Sequence, residues 1–422
     1  MVGLLLGLMV FFLLFNFPMV IPMVAAPLAV MIGFMPNMDL SMSVQQLIAG
    51  VSAQVLLSVP MFIFAADIMC AGSTTQRLLD LVETFVGHIH GGMAITTAAT
   101  CTMFGAISGS TQATVVAIGR PMRQRLLKLG YKDSDSSGLI ICSAIIALLI
   151  PPSISMIMYA VVTGSSVGNL FIAGVGPGIL MFIFFAVYSY LFAKFKKMPC
   201  QEKATWPQRL AAFKRAILPL GFPIIIFIGI YGGFFSPTEA SAIAVLYALI
   251  LEMLVYRNVK TKDLQKIALS TAVVTCAVFI LVSGGQLFSW VISYAKIPQM
   301  LTSTILGVDP SALKILITVT IFFFIGCMFV DSLVVIIILS PIFFPLAMKA
   351  GIDPIHLGII ITLQAAIGSV SPPFGCNIFT GCAIFNRPYG DIVKGLPPYL
   401  IMLLFITLIV ILCPQLSLFL LN

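Results

Sequence analysis

Charged side chains are scarce in this sequence: Asp, Glu, Lys and Arg make up 9% of the 422 residues, whereas 60% are hydrophobic. An ordinary soluble domain has about a quarter of its residues charged. So little charge cannot cover a water-facing surface. Apolar stretches of about 20 residues, the length of a membrane helix, recur along the whole chain. This excludes a soluble domain with one anchor and predicts an all-α, polytopic membrane protein.

The N-terminal apolar span, residues 3–33, has no basic region before it and no small-residue cleavage site. It is therefore predicted to be a first membrane helix and not a removed signal peptide. The nine cysteines form no CxxC pair, so neither a disulfide framework nor a zinc site is expected. His88 and His90 would point to different sides of a helix and are poor joint metal ligands.

Sequence motifs that are typical of nucleotide-binding proteins and of hydrolases are also absent. The chain contains no GxxxxGK[ST] loop, and neither HExxH nor GxSxG occurs. Any energy must then come from an ion gradient, or the protein has no energy source at all. The chain is predicted not to be an enzyme.

Two apolar spans are interrupted near the middle by small or polar residues. In the span 91–120 the interruption is Ser108-Gly109-Ser110-Thr111-Gln112, and in the span 312–347 it is Asp331-Ser332. A straight helix would place these groups deep in hydrocarbon, whereas two half-helices meeting at a buried or water-lined tip would satisfy them. Each span is therefore predicted to be a re-entrant hairpin, which enters and leaves the membrane on one side.

The distribution of positive charge supports both hairpins. If neither crosses the membrane, one side holds all but three of the 22 Lys and Arg residues; the loops on that side are 72–90, 121–136, 194–215, 257–266 and 386–396. Only Lys296, Lys314 and Lys349 are left for the other side. Positively charged loops are cytoplasmic, so this side is predicted to face the cytoplasm. A single crossing at either span would remove the bias.

The chain matches itself at an offset of 221 residues, which aligns 104–177 with 325–398 without a gap. Six of the identical positions are Gly or Pro, and matches at such residues indicate a shared backbone shape. In each half a hairpin is followed by a link and by a span broken at Pro-Pro. Because the hairpins are predicted to open to opposite sides, the halves are inverted repeats. This architecture is typical of ion-coupled secondary transporters, with sites near the midplane.

The first tip and the two Pro-Pro breaks are candidate ion sites. Glycines allow a tight turn at the tip, and hydroxyl and carbonyl oxygens suit a small cation such as sodium. Half-helix N-termini at the same place would favour an anion. Proline has no N–H, so the breaks should free the carbonyls of Ala147 and Gly368. The alternatives are a helix-packing face of small residues and simple proline kinks.

Acidic residues within the spans are further candidates. Asp331 lies far from any span end, where a carboxylate is costly and usually functional; it would either lie near an ion or cap the tip. Asp67 would reach the surface or pair with a basic residue. Glu239 follows Ser236-Pro237-Thr238 and should cap a helix, and Glu252 is predicted to be an interface anchor.

The chain resembles the large permease subunit of TRAP (tripartite ATP-independent periplasmic) transporters along nearly its full length. The resemblance is carried by Phe104-Gly-Ala-Ile-Ser-Gly-Ser110, Ala117-Ile-Gly119, Gly130-Tyr131, Ile150-Pro-Pro-Ser153, Ser236-Pro-Thr-Glu-Ala240, Asp331 and Ser371-Pro-Pro-Phe-Gly375. It implies an elevator mechanism in a bacterial inner membrane, with sodium as the coupling ion and no organic cofactor. It also implies two partners, a small four-helix membrane subunit and a periplasmic substrate-binding protein.

The resemblance further implies site residues. The first sodium site would be formed by Ser108, Ala147, Ile150 and Pro151, and the second by Gly326, Gly368, Ser371 and Phe374. Substrate is expected between the tips, near Ser110, Thr111, Asp331 and Asn377. The chain departs from many relatives at Thr114, where they have an acidic residue, and at Ser371, where Thr is usual.

The implied function is uptake of a small organic anion, namely a C4-dicarboxylate, a sialic or sugar acid, or a sulfonate. The alternatives are a self-sufficient sodium–anion symporter and, from another class, a non-transporting scaffold or membrane enzyme. The expected domains are scaffold helices, two repeats of a transport domain and a final membrane helix; their bounds are 1–86, 87–180, 181–310 with an arm, 311–396 and 397–422.

Overall fold

The computed structural model of the protein describes residues 1–15, 17–296 and 310–421, and no residue in these ranges forms a β-strand. The helices of the first part are α1 Val2–Leu14, α2 Val20–Phe34, α3 Ser41–Val51, α4 Ser58–Ala71, α5 Thr74–Val86, α6 Gly92–Ser108, α7 Thr111–Lys128, α8 Asp133–Ser143, α9 Ile154–Thr163 and α10 Val167–Phe195. Those of the second part are α11 Trp206–Tyr231, α12 Pro237–Leu249, α13 Thr261–Tyr294, α14 Ala312–Phe329, α15 Ser332–Lys349, α16 Pro354–Gly368, α17 Cys376–Phe385, α18 Tyr389–Val393, α19 Pro397–Leu412 and α20 Gln415–Leu418.

Short irregular helices complete three of these elements. They are 3-10 turns at Gln54–Leu57 and Ala144–Leu148 and a π-helical turn at Ile250–Val255. Seven helical segments of the described ranges are long and apolar enough to cross a membrane, as judged by length and composition. The all-α, polytopic prediction is therefore confirmed.

The N-terminal span is one respect in which the structure differs from the sequence interpretation. Residues 3–33 were expected to form one span, but α1 and α2 are separate helices that pack against each other. Pro18 lies in the connection, where its ring and missing N–H disfavour a continuous helix.

Both interrupted spans are helical hairpins. In the first, α6 and α7 are joined by only Gly109 and Ser110 and pack along each other. In the second, α14 and α15 are joined by Val330 and Asp331 and also pack together. Gly109 has a φ of 58°, a left-handed conformation that glycine adopts without strain. A continuous crossing helix could not make these contacts between its own halves.

Polar contacts gather the basic loops at one end of the molecule. Arg125, at the end of α7, forms an ion pair with Glu83 of α5, so the two ends of the first hairpin lie together. Glu83 also accepts a hydrogen bond of 2.9 Å from Gln201. Asp133 binds both Arg123 at 2.6 Å and Arg387 at 2.7 Å. Segments that were predicted to share one side from their charge are thus in direct contact.

The observed position of Glu252 differs from the prediction that this residue anchors a helix at the membrane interface. Its side chain is 0% exposed and lies at the N-terminus of α5. It accepts hydrogen bonds from the Thr74 hydroxyl at 2.6 Å and from the Ser73 N–H at 3.3 Å. Glu252 therefore fixes the start of α5 against the end of α12. Glu239, in contrast, caps α12 as expected, through a reciprocal pair of bonds with Ser236.

The two repeats have the predicted order of elements. In the first, α6 and α7 are followed by α8, by a break at Pro151-Pro152 and by α9. In the second, α14 and α15 are followed by α16, by a break at Pro372-Pro373 and by α17. The domain bounds given above remain a prediction, and the part of the 181–310 segment at 297–309 lies outside the described residues.

Candidate functional site

The first tip is a compact set of hydroxyl and carbonyl oxygens. The buried Ser108 hydroxyl lies 3.1 Å from the Thr114 hydroxyl and 3.3 Å from the Ser110 carbonyl. Thr114 donates to the same carbonyl at 2.8 Å. Ser110 caps α7, since its side chain accepts from the Ala113 N–H at 3.4 Å. This tip therefore brings several hard oxygen atoms together, as a sodium site requires.

The residues predicted to complete the first sodium site lie beside this tip. Ala147, Ile150 and Pro151 are all buried. A Cβ on Gly105 would lie 2.5 Å from the Ala147 Cα, so only glycine allows α6 to approach this closely. Because Pro151 has no N–H, it gives the Ala147 carbonyl no helical donor. The structure thus brings together Ser108 and the 144–151 segment.

The second tip is organised by Asp331. Its Oδ1 accepts from the Leu333 N–H at 2.9 Å, so the carboxylate caps α15. The side chain is also exposed. Asp331 therefore caps the helix, which is one of the two roles that the sequence suggested. Its exposed carboxylate stays available to a ligand.

The residues predicted for the second sodium site are close together, but two of their carbonyls have donors. Gly326 accepts from the Val330 N–H at 3.0 Å, and Gly368 accepts from the Ser371 N–H at 3.0 Å. The expectation of a freed Gly368 carbonyl was wrong, because the chain turns tightly after α16 and supplies a donor three residues on. The Ser371 hydroxyl donates to the Ile367 carbonyl at 2.8 Å, and Phe374 donates its N–H to the Met328 carbonyl at 3.2 Å.

Asn377 joins the two halves of the site. The Thr111 hydroxyl donates to Asn377 Oδ1 at 2.9 Å. The Asn377 amide donates to the Ser369 hydroxyl at 3.3 Å, and its main-chain N–H donates to the Ser369 carbonyl at 3.0 Å. Thr111 and Asn377 are buried and satisfied by each other, so of the four predicted substrate residues Ser110 and Asp331 are the more accessible.

Two neighbouring residues were not identified from the sequence. Gln112 is exposed at the start of α7, and its side chain lies beside the Cys376 thiol. Asp331 is also close enough to Cys376 to act on it electrostatically. The thiol therefore lies between the two tips. The only sequence signal for Cys376 was its position three residues after the Pro372-Pro373 break.

Other candidates lie apart from this site. Asp67 accepts a hydrogen bond of 2.9 Å from the Thr271 hydroxyl, and among the described residues it has no basic partner. In the same residues no group of three or more His, Cys, Asp or Glu side chains is placed to hold a metal ion.

The comparisons with known proteins decide the family. The model of the family described as "Tripartite ATP-independent periplasmic transporter, DctM component" matches residues 6–416. The chain belongs to this family. It is therefore the large permease component of a tripartite TRAP transporter, a multi-pass protein of the bacterial inner membrane and not an enzyme.

Three relatives illustrate the similarity. The ectoine TRAP transporter large permease protein TeaC of Halomonas elongata is 51% identical over 98% of this chain and 97% of its own length. The ectoine/5-hydroxyectoine protein UehC of Ruegeria pomeroyi is 51% identical over 98% of this chain and 96% of its own length. The C4-dicarboxylate protein DctM of Pseudomonas aeruginosa is 37% identical over 87% and 86% of the two chains.

A solved structure has the same type of fold. The crystal structure of the Alcanivorax borkumensis YdaH transporter matches with a TM-score of 0.63 at 13% sequence identity. The match covers 88% of this chain and 87% of the other. It supports the polytopic, all-α transporter fold of this TRAP permease.

Proposed function

We propose that this TRAP permease imports ectoine or a close relative of it, coupled to sodium. The proposed substrate rests on the 51% identity, over nearly the full length, to two permeases named for ectoine. Relatives named for C4-dicarboxylates or sialic acid are 31–37% identical. The C4-dicarboxylate, sialic or sugar acid, or sulfonate expected from the sequence is therefore replaced by a small zwitterion.

The substrate chemistry suits the space between the tips. Ectoine is a ring that carries a delocalised cationic amidine group and a carboxylate. The exposed Asp331 carboxylate offers a partner to the cation, and the start of α7 offers positive backbone charge to the anion. We place the substrate there, next to Ser110, with Thr111 and Asn377 forming the buried floor.

Sodium would bind at the two sets of oxygens beside the tips. Ser108 with Ala147, Ile150 and Pro151 forms the first set, and Gly326, Gly368, Ser371 and Phe374 form the second. The Gly326 and Gly368 carbonyls each accept one hydrogen bond and keep a second lone pair for the ion. Sodium at these positions would hold each tip against the neighbouring Pro-Pro break. The two repeats would then move together as an elevator against the scaffold helices, while a small membrane subunit and a periplasmic binding protein complete the system.

Reconstitution tests this proposal. Liposomes that contain this chain and the small membrane subunit, with the binding protein outside, should accumulate labelled ectoine under an inward sodium gradient. Replacement of sodium by potassium should abolish accumulation, and malate or sialic acid should not be accumulated. Sodium-independent uptake would refute the coupling. Ectoine uptake by this chain alone would instead favour the self-sufficient symporter.

A further inference from the structure

Two phenylalanine rings lie exposed beside the second tip. Phe329 ends α14 and Phe374 lies in the loop after Pro372-Pro373; their ring centroids are 5.9 Å apart. The two side chains are 55% and 56% exposed. The hydrogen bond from the Phe374 N–H to the Met328 carbonyl fixes the loop to the end of α14. The two rings therefore form a preorganised aromatic surface.

Asp331 belongs to the same tip as this aromatic surface. Asp331 follows Phe329 by two residues and is exposed. Its Oδ1 binds the Leu333 N–H, and none of the ion pairs among the described residues includes it. Aromatic faces attract cations, as a carboxylate does, and the two effects act together when they face the same volume.

We propose that Phe329 and Phe374 bind the cationic part of the substrate beside Asp331 and thereby select a zwitterion over a dianion. This inference rests on the proposed function, because it assumes a substrate of the ectoine type. A flat, delocalised cation can lie against a ring face, where the ring quadrupole attracts it. A second carboxylate at that position would meet both the negative ring faces and the Asp331 carboxylate.

The neighbouring exposed residues distinguish this pair from a lipid-facing surface. Ile321, Phe322 and Ile325 of α14 are also exposed. Aliphatic side chains such as those of Ile321 and Ile325 are sufficient where a helix faces the hydrocarbon of the membrane. Of the exposed aromatic residues of α14, Phe329 lies two residues from an acidic residue, Asp331, whereas Phe322 has no acidic residue near it in the sequence. On the far side of the space, Gln112 and the start of α7 are left for the substrate carboxylate.

Binding to the purified full-length chain in nanodiscs tests the inference directly. The thermal unfolding midpoint would be measured at increasing concentrations of ectoine and, separately, of malate. A ligand that binds only the folded state raises this midpoint. Phe374→Leu and Phe329→Leu remove one ring each and keep an apolar side chain. Each should weaken ectoine affinity roughly 3- to 30-fold and reduce the preference for ectoine over malate. Phe374→Tyr should retain both.

Phe379→Leu is the matched control. Phe379 is 48% exposed and lies on α17, where its ring is 5.7 Å from that of Tyr389. This variant should bind ectoine like the unmodified chain. Equal affinities for Phe374→Leu, Phe329→Leu and Phe379→Leu would overturn the inference and leave the proposed function intact. Absence of any ectoine effect on the unmodified chain, together with no uptake in the reconstituted system, would overturn both.

Discussion

Thr111 and Asn377 are separated by 266 residues of sequence, yet the Thr111 hydroxyl donates to Asn377 Oδ1 at 2.9 Å. Thr111 begins the second helix of the first hairpin, and Asn377 follows the Pro-Pro break of the second repeat. Both side chains are buried. This hydrogen bond joins the two repeats at the place where the substrate is proposed to bind.

Removal of this bond should destabilise the protein. Thr111→Val keeps the shape of the side chain and leaves a buried acceptor on Asn377 without its donor. The expected cost is about 1–3 kcal/mol, measured as a lower unfolding midpoint in nanodiscs. Thr102→Val is the control, because the Thr102 hydroxyl donates only to the Ala98 carbonyl of its own helix. Equal losses in the two variants would contradict a special role for the contact.

Sodium dependence should change when the Ser108 hydroxyl is removed. Ser108→Ala deletes one oxygen from the first tip, so the sodium concentration for half-maximal ectoine uptake should rise roughly tenfold or more. Ser136→Ala removes a buried hydroxyl that binds the Lys132 carbonyl, away from the tip, and should leave that concentration unchanged. An unchanged sodium dependence in Ser108→Ala would refute the first sodium site.

The stability of the end of the molecule that carries the basic loops should depend on Asp133. The hydrogen bond from Arg123, together with the charges of Arg123 and Arg387, lowers the pKa of Asp133 below its ordinary value. A lowered folded-state pKa means that the stabilisation is complete above the unfolded-state pKa, about 3.9. It is lost as pH falls through the folded-state pKa, which lies lower still.

Asp133→Asn should therefore lower the unfolding midpoint near neutral pH, and the difference from the unmodified chain should disappear under strongly acidic conditions. Asp391→Asn is the control, since Asp391 pairs with an exposed Lys394 at 3.1 Å and exposed pairs contribute little. A difference between Asp133→Asn and the unmodified chain that persists unchanged at low pH would refute the ion-pair explanation.

Labelling of introduced cysteines should show that neither hairpin crosses the membrane. In a background without the nine native cysteines, His90→Cys and Lys128→Cys should react with an impermeant reagent from the cytoplasmic side. Ser311→Cys and Lys349→Cys should react from the periplasmic side. If the two ends of either hairpin were labelled from opposite sides, the inverted-repeat arrangement and the proposed transport mechanism would be wrong.

The hairpins and breaks were predictable because each has a local signal. Small or polar residues in the middle of an apolar span cannot lie in hydrocarbon unpaired, and Pro-Pro interrupts a helix wherever it occurs. The bias of Lys and Arg then fixed how the spans connect. The connections in the structure, Gly109-Ser110 and Val330-Asp331, therefore lie within or overlap the predicted interruptions at 108–112 and 331–332.

The burial of Glu252 and the donor at the Gly368 carbonyl could not be predicted in this way. Glu252 was expected at the membrane surface because it lies near the end of a span, yet it is buried against the start of α5. The Gly368 carbonyl was expected to be free, yet the turn before Pro372 returns the Ser371 N–H to it. Burial and donor geometry depend on how chain segments pack, which residue spacing does not determine.

By itself, the sequence determined the helical class, the two hairpins, the inverted repeats and the shared side of the basic loops, since each follows from local chemistry or from charge counted along the chain. Only the tertiary structure decided that Thr111 meets Asn377, that Asp331 stays exposed while it caps α15, and that Phe329 lies against Phe374. These relations join residues 45 to 266 positions apart, or depend on which side chains are left uncovered. The Thr111–Asn377 bond forms only once the two repeats have packed together, and the contact between Phe329 and Phe374 forms only once the second repeat has folded.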